Sequence, residues 1–441
     1  MTSPVLDLAG IGVGPFHLSL AAHLDAIPAA KAHFFDDKPA FDWHPGMMLE
    51  GVELQTSFMK DLVTATLPTS PWTFASYLVS QKRFYEFLNA DFDAIPRREF
   101  ARYLAWVAGN LDNLRFGRPV REVRFEDGLF HIRLDDDACM ARNLSLGVGL
   151  KPNIPAWGQV AHGQSCFHTS EAAYRLEGLK GRRIVVVGGG QSGAEIMQHL
   201  LSRPEAASQS IAWISRRQNF QTLDDSPFTD EFFTPHYVER FHALPHSRRQ
   251  ATVAQQKLAG DGISASTLRA IYQKSYALRH LSADEHDLAF MPHREVLDLR
   301  CEGGEFRLVM RNGFDGSVEM ASADAIVLAT GYVFTVPEFL APLADRLDLD
   351  ERGLYRLRDD FSVEWDGPAS ARIFALNAGR HSHGIAEPQL SLMAWRSAVI
   401  VNALLGRRHF DLSPRPSAMR WTADAAPALS QAALQQPQAR G

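Results

Sequence analysis

Cysteine is scarce in this sequence. Only three of its 441 residues are cysteines, at Cys139, Cys166 and Cys301. An odd number of widely spaced thiols fits neither a disulfide framework nor a cysteine-rich zinc site. The histidines show no metal-ligand spacing either, because His381 and His383 have no third ligand near them in sequence. We therefore predict reduced thiols, no metal site and a cytoplasmic location.

A basic excess and long apolar runs are missing too. The net charge of -6 and the pI near 6.3 argue against a nucleic-acid partner. We find no apolar run long enough to span a bilayer and no secretion signal, so we expect no transmembrane segment. The hydrophobic fraction of 46% supplies large cores, and the length predicts two or three domains. The Ala-, Gln- and Pro-rich segment 425–441 is expected to be disordered.

The first chemical signal is a glycine turn between an apolar strand and a helix near the N-terminus. Gly10 and Gly12 fill the first two positions of a G-x-G-x-x-G pattern, and Gly14 and Pro15 follow. Glycines let the backbone approach a pyrophosphate, which the helix N-terminus stabilises, and proline suits a first helical turn. Asp36 comes just after the next strand, where an acid binds a ribose hydroxyl. This unit predicts an FAD site.

A second strand, turn and helix carry a complete G-x-G-x-x-G that begins at Gly188. The strand after it ends in Ser215, Arg216 and Arg217 instead of an acid. A 2′-phosphate needs cations and is repelled by a carboxylate, so this unit predicts a preference for NADPH over NADH. In the alternative interpretation, the two arginines only solvate the end of a strand.

Two dinucleotide sites on one chain indicate hydride transfer from NADPH to a flavin. The run 325–329 is followed by Thr330, Gly331 and Tyr332, a strand ending that recurs in two-dinucleotide flavoproteins where the chain returns to the FAD domain. No Cys-x-x-Cys occurs, which argues against a disulfide reductase and leaves oxygen as a natural electron acceptor. We predict an α/β two-dinucleotide-binding flavoprotein with two Rossmann-like domains and a small helical insertion.

The predicted domains follow from these elements. Residues 1–165 and 325–424 are assigned to the FAD-binding domain, and residues 166–324 to the NADPH-binding domain. Within the latter, residues 219–285 are polar and helical, without strand signals, and predict the insertion.

These features resemble the microbial amine N-hydroxylases of siderophore biosynthesis, the lysine and ornithine N-monooxygenases, from Asp7 to about Leu412. The segments that carry the resemblance are residues 12–19, 41–47, 54–63, 188–195, 224–228, 324–332 and 383–391. The resemblance implies that NADPH reduces FAD and that the reduced flavin adds O2 at C4a. The hydroperoxide then transfers one oxygen atom to a neutral side-chain amine.

The resemblance also implies individual roles. Trp43 and His44 border FAD, Gln55 lies near the reacting flavin ring as the candidate catalytic residue, and Lys60 binds the carboxylate of an amino-acid substrate. The other implied contacts are Gly189, Gly190, Gln191, Ser192 and Arg216 for NADPH, Pro388, Gln389 and Leu390 for FAD, and Ser391 for substrate. In the alternative interpretation, Lys60 is a surface lysine, and Trp43 and His44 are core or capping residues.

The sequence departs from the ornithine enzymes at two places that contact substrate in the family. Asp230 stands where they have asparagine after Ser-Pro-Phe-x, and residues 260–264 replace their Asn-Tyr-Ser stretch. The resemblance therefore favours the lysine-type or diamine-type branch. We expect the partners to be a small amine, bound by the insertion, and O2. Three functions stay open: lysine N6-hydroxylation, N-hydroxylation of putrescine or cadaverine, and an NADPH oxidase-type flavoprotein. Lys60 favours lysine, since a diamine has no carboxylate. We also expect a homo-oligomer.

Overall fold

A computed structural model describes residues 4–179, 182–203, 210–283, 287–413 and 417–422. The segment 425–441, for which we expected disorder, lies outside these residues. The strands are β1 (Leu8–Ile11), β2 (Ala32–Phe35), β3 (Leu114–Arg115), β4 (Glu122–Glu126), β5 (Leu129–Arg133), β6 (Ala138–Ala141), β7 (Leu144–Leu146), β8 (Lys151–Pro152), β9 (Cys166–His168), β10 (Ile184–Val187), β11 (Ile211–Ile214), β12 (Leu288–Met291), β13 (Arg294–Glu302), β14 (Glu305–Asn312), β15 (Val318–Ala323), β16 (Ala325–Leu328), β17 (Tyr332–Val333) and β18 (Ile373–Ala375).

The α-helices are α1 (Pro15–Asp25), α2 (Phe74–Ser80), α3 (Phe84–Ala90), α4 (Arg97–Ala108), α5 (Ala156–Gln159), α6 (Ala172–Arg175), α7 (Gln191–Ser202), α8 (Pro235–His242), α9 (His246–Gln255), α10 (Lys257–Asp261), α11 (Ala265–His280), α12 (Arg380–His383) and α13 (Met393–Leu405). Short 3-10 helices lie at Pro45–Met47, Thr169–Glu171, Leu176–Leu179, Thr229–Phe233, Glu338–Arg346 and Leu390–Leu392.

The first sheet is parallel, with strand order β18-β7-β1-β2-β3. Its central strand β1 is buried at every residue, as expected for a strand covered on both faces. Leu8 packs into the core formed with α1, α4 and α13, whereas Ala9 and Ile11 pack into the core shared with β4–β6. The two layers hold the first glycine turn at the carboxyl edge of this sheet.

The second sheet is also parallel, with strand order β12-β11-β10-β16-β9. Strand β10 is fully buried. Ile184 and Val186 pack with α7 and α11, while Val185 and Val187 pack against the antiparallel sheet β13–β15. The second glycine turn follows β10, so the two turns occupy equivalent edges of two Rossmann-like units.

The chain passes between the two units at β8 and β17, which pair with each other in antiparallel fashion. Strand β16 lies in the second sheet, between β10 and β9. The predicted boundary between residues 324 and 325 is therefore too early, because the last strand of the second sheet comes after it. The return to the first unit follows Leu328.

A segment of the first unit is embedded in the second. Met47, Leu49 and Val52 belong to the hydrophobic core that surrounds β10 and α7. A side chain at Gly46 would place its Cβ 1.7 Å from the carbonyl oxygen of Ser170, so the backbones touch there. The two units thus share a packed interface close to Gln55.

The region between residues 219 and 285 holds the helix Thr229–Phe233 and helices α8–α11. Helix α11 packs on α7, and α8 and α9 pack on α12. The insertion therefore contacts both units. Among the described residues, no helix has the length and apolarity needed to cross a membrane, and no group of three or more potential ligands could hold a metal ion.

Candidate active site

The first glycine turn leaves no room for side chains where the backbone is crowded. Gly12 has a φ of 87°, and a Cβ there would lie 2.6 Å from the carbonyl oxygen of Gly147. A Cβ at Gly10 would lie 2.1 Å from the Phe34 ring. Gly14, by contrast, caps α1 and faces open space, with no neighbour of its Cβ position within 4 Å. Pro15 starts the helix. This geometry fits a pyrophosphate at the N-terminus of α1.

The Asp36 carboxylate ties the same turn to the end of β2. It accepts hydrogen bonds from the backbone N–H of Val13 at 2.5 Å and of Lys38 at 2.8 Å. Burial raises the pKa of Asp36, and these two bonds together with the Lys38 ammonium oppose the shift. Each carboxylate oxygen keeps a further lone pair, so a ribose hydroxyl could bond to Asp36 without breaking these contacts.

Trp43 and His44 lie between the two units. The Trp43 ring is 5.4 Å from His44 and 6.0 Å from Phe100, and the His44 ring is 6.4 Å from Tyr332 of β17. His44 has a φ of 49°, a left-handed conformation that costs energy for a non-glycine residue. Desolvation by the surrounding protein atoms, with the positive charge of Arg97 nearby, lowers the pKa of His44 to about 4, although the surface of the side chain is exposed. His44 is therefore neutral near pH 7.

The second glycine turn likewise has crowded positions at Gly188 and Gly193 and an open position at Gly190. Gly188 has a φ of 133°, and a Cβ there would lie 2.0 Å from the carbonyl oxygen of Ala329. A Cβ at Gly193 would lie 2.1 Å from the carbonyl oxygen of Gly188. Gly190 caps α7 and has no neighbour of its Cβ position within 4 Å. The N-terminus of α7 is thus accessible to an anion.

A cavity of about 630 Å³ opens at this edge of the second sheet. The structure brings eight of the predicted residues together along its wall: Gln55, Gly188, Gly189, Gly190, Gln191, Ser192, Arg216 and Arg217. Gln55 comes from the first unit, so the candidate catalytic residue and the second dinucleotide turn face one space. The volume and the exposed N-terminus of α7 fit a dinucleotide.

The two arginines after β11 have different surroundings. Arg217 is half-buried and donates from Nη1 to the carbonyl oxygen of Asp261 at 3.0 Å, and burial lowers its pKa. Arg216 is exposed, and no described residue forms an ion pair or a side-chain hydrogen bond with it. Arg216 is therefore available to a phosphate, whereas Arg217 also holds the insertion in place.

Lys60 lies next to a tightly anchored turn but outside the wall of the 630 Å³ cavity. The buried Asp61 carboxylate accepts backbone hydrogen bonds from Val63, Thr64 and Phe74 at 2.7–3.0 Å. The Lys60 side chain is partly exposed and has no ion-pair or hydrogen-bond partner in the described part of the chain. Lys60 is thus a cation beside an anchored backbone turn, without a counter-charge among the described residues.

Residues 388–391 connect α12 to α13, and Pro388, Gln389, Leu390 and Ser391 are all partly exposed. Leu390 packs against the same hydrophobic core as Trp43. The Nε2 atom of Gln389 lies 3.9 Å from where a Gly260 Cβ would be, so this segment meets the insertion. The Ser391 hydroxyl is buried without a hydrogen-bond partner among the described residues.

The structure does not bring Asp230 to the cavity. Asp230 is exposed in the helix Thr229–Phe233, and its backbone N–H donates to the Ser226 carbonyl oxygen at 2.9 Å. No described cation pairs with its carboxylate. The substrate contact expected of Asp230 from the resemblance stays a prediction.

Sequence reasoning missed several charged residues of the cavity wall. Arg380 of α12 pairs with Asp261 of α10 at 3.1 Å, and Lys257 and Arg294 also line the space. Asp261 lies in the stretch that differs from the ornithine enzymes, and Arg380 lies three residues before a segment of resemblance. Their pairing joins elements far apart in sequence, so no local pattern indicated it.

Comparison with known proteins gives a consistent result. The family model described as L-lysine 6-monooxygenase/L-ornithine 5-monooxygenase matches residues 4–334. The chain is 41% identical over 419 residues to the L-lysine N6-monooxygenase of Escherichia coli, covering 94% of this chain and 98% of that protein.

Solved structures agree in fold over almost the whole chain. The FAD-bound cadaverine monooxygenase of Erwinia amylovora superposes with a TM-score of 0.90 at 31% identity, covering 97% of this chain and 100% of the other. The ornithine N-hydroxylase of Kutzneria sp. 744, with reduced FAD, NADP+ and L-ornithine, gives a TM-score of 0.83 at 26% identity, covering 91% and 99%.

Proposed function

The chain belongs to the L-lysine 6-monooxygenase/L-ornithine 5-monooxygenase family, and we propose that it hydroxylates the side-chain amine of L-lysine for siderophore assembly. The balanced reaction converts the amine, O2, NADPH and a proton into the hydroxylamine, water and NADP+. The observation that carries the proposal is the 41% identity to a lysine N6-monooxygenase over nearly the full length of both chains.

FAD and NADPH are the cofactors of this family, and two built sites fit them. When bound, NADPH supplies the hydride and FAD passes the electrons to O2. We assign Gly10, Gly12, Gly14, Pro15 and Asp36 to FAD, with Trp43, His44 and residues 388–390 along its flavin end. Residues 188–192 would hold the NADPH pyrophosphate at the N-terminus of α7, and Arg216 would bind the 2′-phosphate with help from Arg217.

The chain's own residues must present a neutral amine and keep water away. A partly desolvated pocket disfavours the ammonium form of the substrate. His44 adds no charge near pH 7, because its pKa is lowered to about 4. Gln55 lines the same cavity as the second glycine turn, and its carboxamide would lie beside the reacting groups. We assign Ser391, whose buried hydroxyl has no partner among the described residues, and Asp230 to substrate binding.

Lys60 decides which amine is the substrate. An amino-acid carboxylate that leaves water needs a counter-charge, and Lys60 is a cation without a described partner. Diamine hydroxylation is the second candidate, since the cadaverine monooxygenase superposes with a TM-score of 0.90. A diamine has no carboxylate, so Lys60 would serve no purpose there.

The test is hydroxylamine formation from lysine, ornithine, putrescine and cadaverine under identical conditions. We expect the highest kcat/KM with lysine. A higher kcat/KM with putrescine or cadaverine would identify that diamine as the substrate instead of lysine. NADPH consumption that produces only peroxide with all four amines would instead support an oxidase. We also propose that the enzyme is cytoplasmic and that it forms a homo-oligomer. Sedimentation of the purified enzyme would check the oligomeric state.

A further inference from the structure

Glu195 forms a buried ion pair between the two units. It lies on α7, one turn after the second glycine turn, and its side chain is 3% exposed. Its two oxygens accept hydrogen bonds from Nη2 and Nη1 of Arg97 at 2.6 and 3.0 Å. Arg97 begins α4 of the first unit. The contact is therefore a bidentate carboxylate–guanidinium pair, which fixes orientation as well as distance.

Arg97 extends this contact toward Gln55. Its guanidinium also donates to the carbonyl oxygens of Met47 at 3.3 Å and Glu53 at 3.4 Å. These carbonyls bracket the segment that packs into the core of the second unit. Gln55 follows Glu53 by two residues, so the ion pair holds the backbone that leads into the cavity wall.

The Glu195 carboxylate also orients the second glycine turn and the insertion. The Gln191 side chain donates from Nε2 to Glu195 Oε1 at 3.1 Å, and its Oε1 accepts from the backbone N–H of Ser264 at 2.9 Å. Gln191 lines the cavity, and Ser264 caps α11 of the insertion. Glu195 is thus linked to the first unit, to the second glycine turn and, through Gln191, to the insertion.

Stability alone does not account for this arrangement. A buried ion pair loses so much solvation that an apolar pair of similar volume is often as stable. Hydride transfer, however, requires the donor and acceptor atoms to be held about 3–3.5 Å apart, and small displacements are costly. The Arg97–Glu195 pair joins the first unit to the helix that follows the second glycine turn, so it can fix the position of one dinucleotide turn relative to the other.

We propose that Glu195 is a positioning residue for hydride transfer. Through Arg97 and Gln191 it sets the second glycine turn, and the nicotinamide held there, relative to the flavin end of the first unit. The inference rests on the proposed use of FAD and NADPH, but not on the identity of the amine.

The test measures anaerobic flavin reduction by NADPH in the FAD-loaded enzyme without amine. We expect Glu195→Ala to lower the limiting reduction rate about tenfold or more. The Kd for NADP+, measured by calorimetry, should change less than about threefold, because the helix N-terminus and Arg216 remain to bind the phosphates. Wild-type enzyme that NADPH does not reduce would refute the cofactor assignment instead, so the two failures are distinguishable.

Glu99→Ala is the matched control. Glu99 lies on α4 two residues from Arg97 and accepts a bidentate pair from Arg83 at 2.9 and 3.1 Å, entirely within the first unit. Its loss should lower the thermal midpoint and leave the limiting reduction rate unchanged. Equal slowing by both variants would show general softening and overturn the proposal.

The double variant Arg97→Met/Glu195→Met separates stability from positioning. Two apolar side chains leave no unpaired buried charge, so the thermal midpoint should recover relative to Glu195→Ala. Flavin reduction should stay slow, since the bidentate contact and the Gln191 link are both lost. A double variant that is reduced at the wild-type rate would overturn the proposal, and this holds even if Glu195→Ala alone does not fold.

Discussion

At the scale of single residues, charges of the same type have different tasks according to their partners. Arg216 and Arg217 are adjacent, yet only Arg217 is bonded to the insertion, through the Asp261 carbonyl oxygen. Lys60 and Arg380 are both cations near residues of the site, yet Arg380 is paired with Asp261 and Lys60 has no described partner. An uncommitted cation has its donors free for a ligand, so Arg216 and Lys60 are the residues to test.

Arg216→Ala should weaken NADPH specifically. A charge-assisted hydrogen bond to the 2′-phosphate contributes about 1.5–3 kcal/mol, which corresponds to roughly 10- to 150-fold in KM. The KM for NADH should change little, because NADH has no such phosphate. Arg217→Ala is the comparison variant: it also releases the insertion, so both cofactors should be affected. Steady-state kinetics with both nucleotides measure these KM values. An equal rise in KM for NADPH and NADH in Arg216→Ala would show that Arg216 does not recognise the 2′-phosphate.

Lys60→Ala should raise the KM for lysine by roughly 30-fold or more, equivalent to about 2 kcal/mol, if the carboxylate is paired in a desolvated site. Cadaverine turnover should be spared, since cadaverine has no carboxylate. Flavin reduction by NADPH should be unchanged, because Lys60 does not line the cavity at the second glycine turn. The exposed Lys31→Ala serves as control and should match wild type. Intact lysine kinetics in Lys60→Ala would favour the diamine as substrate.

At the scale of elements, the two strand–turn–helix units have the same construction. In each, glycines face a crowded backbone behind the turn, while the helix-capping glycine faces open space. The tight turn aims the N-termini of α1 and α7 at the carboxyl edges of their sheets. A side chain behind the turn should therefore disturb one cofactor site and spare the other.

Gly188→Ala should impair NADPH binding without loss of FAD. Its φ of 133° disfavours any side chain, and the new Cβ would lie 2.0 Å from the Ala329 carbonyl oxygen, so the turn must move. We expect NADP+ affinity to fall about tenfold or more and FAD content to stay at wild-type level. Gly178→Ala, where the added Cβ meets open space, is the control. Unchanged NADP+ affinity in Gly188→Ala would contradict this account of the turn.

At the scale of the whole molecule, local patterns were reliable and long-range pairings were not. The strand predicted just before Asp36 is β2. The strand predicted before the second glycine turn is β10, because an apolar run before a glycine turn has few other structures open to it. The 325–329 strand is present, but its sheet was misassigned, since either sheet could accept a buried apolar strand. The Arg97–Glu195 pair spans 98 positions, and no periodicity encodes such a contact.

The pH dependence of the whole fold provides the last prediction. His17 and His23 of α1 are fully buried. His17 Nε2 lies 2.7 Å from Ser145 Oγ, and His23 Nε2 lies 2.7 Å from Thr66 Oγ1. In each ring, Nδ1 faces a backbone carbonyl oxygen and must donate, so Nε2 is the unprotonated acceptor. Burial lowers the pKa of both histidines to about 4.

The unfolded chain binds these protons near pH 6.5 and the folded chain only near pH 4, so lowering the pH between those values favours unfolding. The stabilisation is complete well above pH 6.5, and each histidine should lower the free energy of unfolding by roughly 1.5 kcal/mol between pH 6.5 and 5. Urea unfolding at both pH values measures it. His17→Gln should reduce this pH dependence by one histidine's share, whereas the exposed His280→Gln should not. An unaltered pH dependence in His17→Gln would assign the acid sensitivity to other groups.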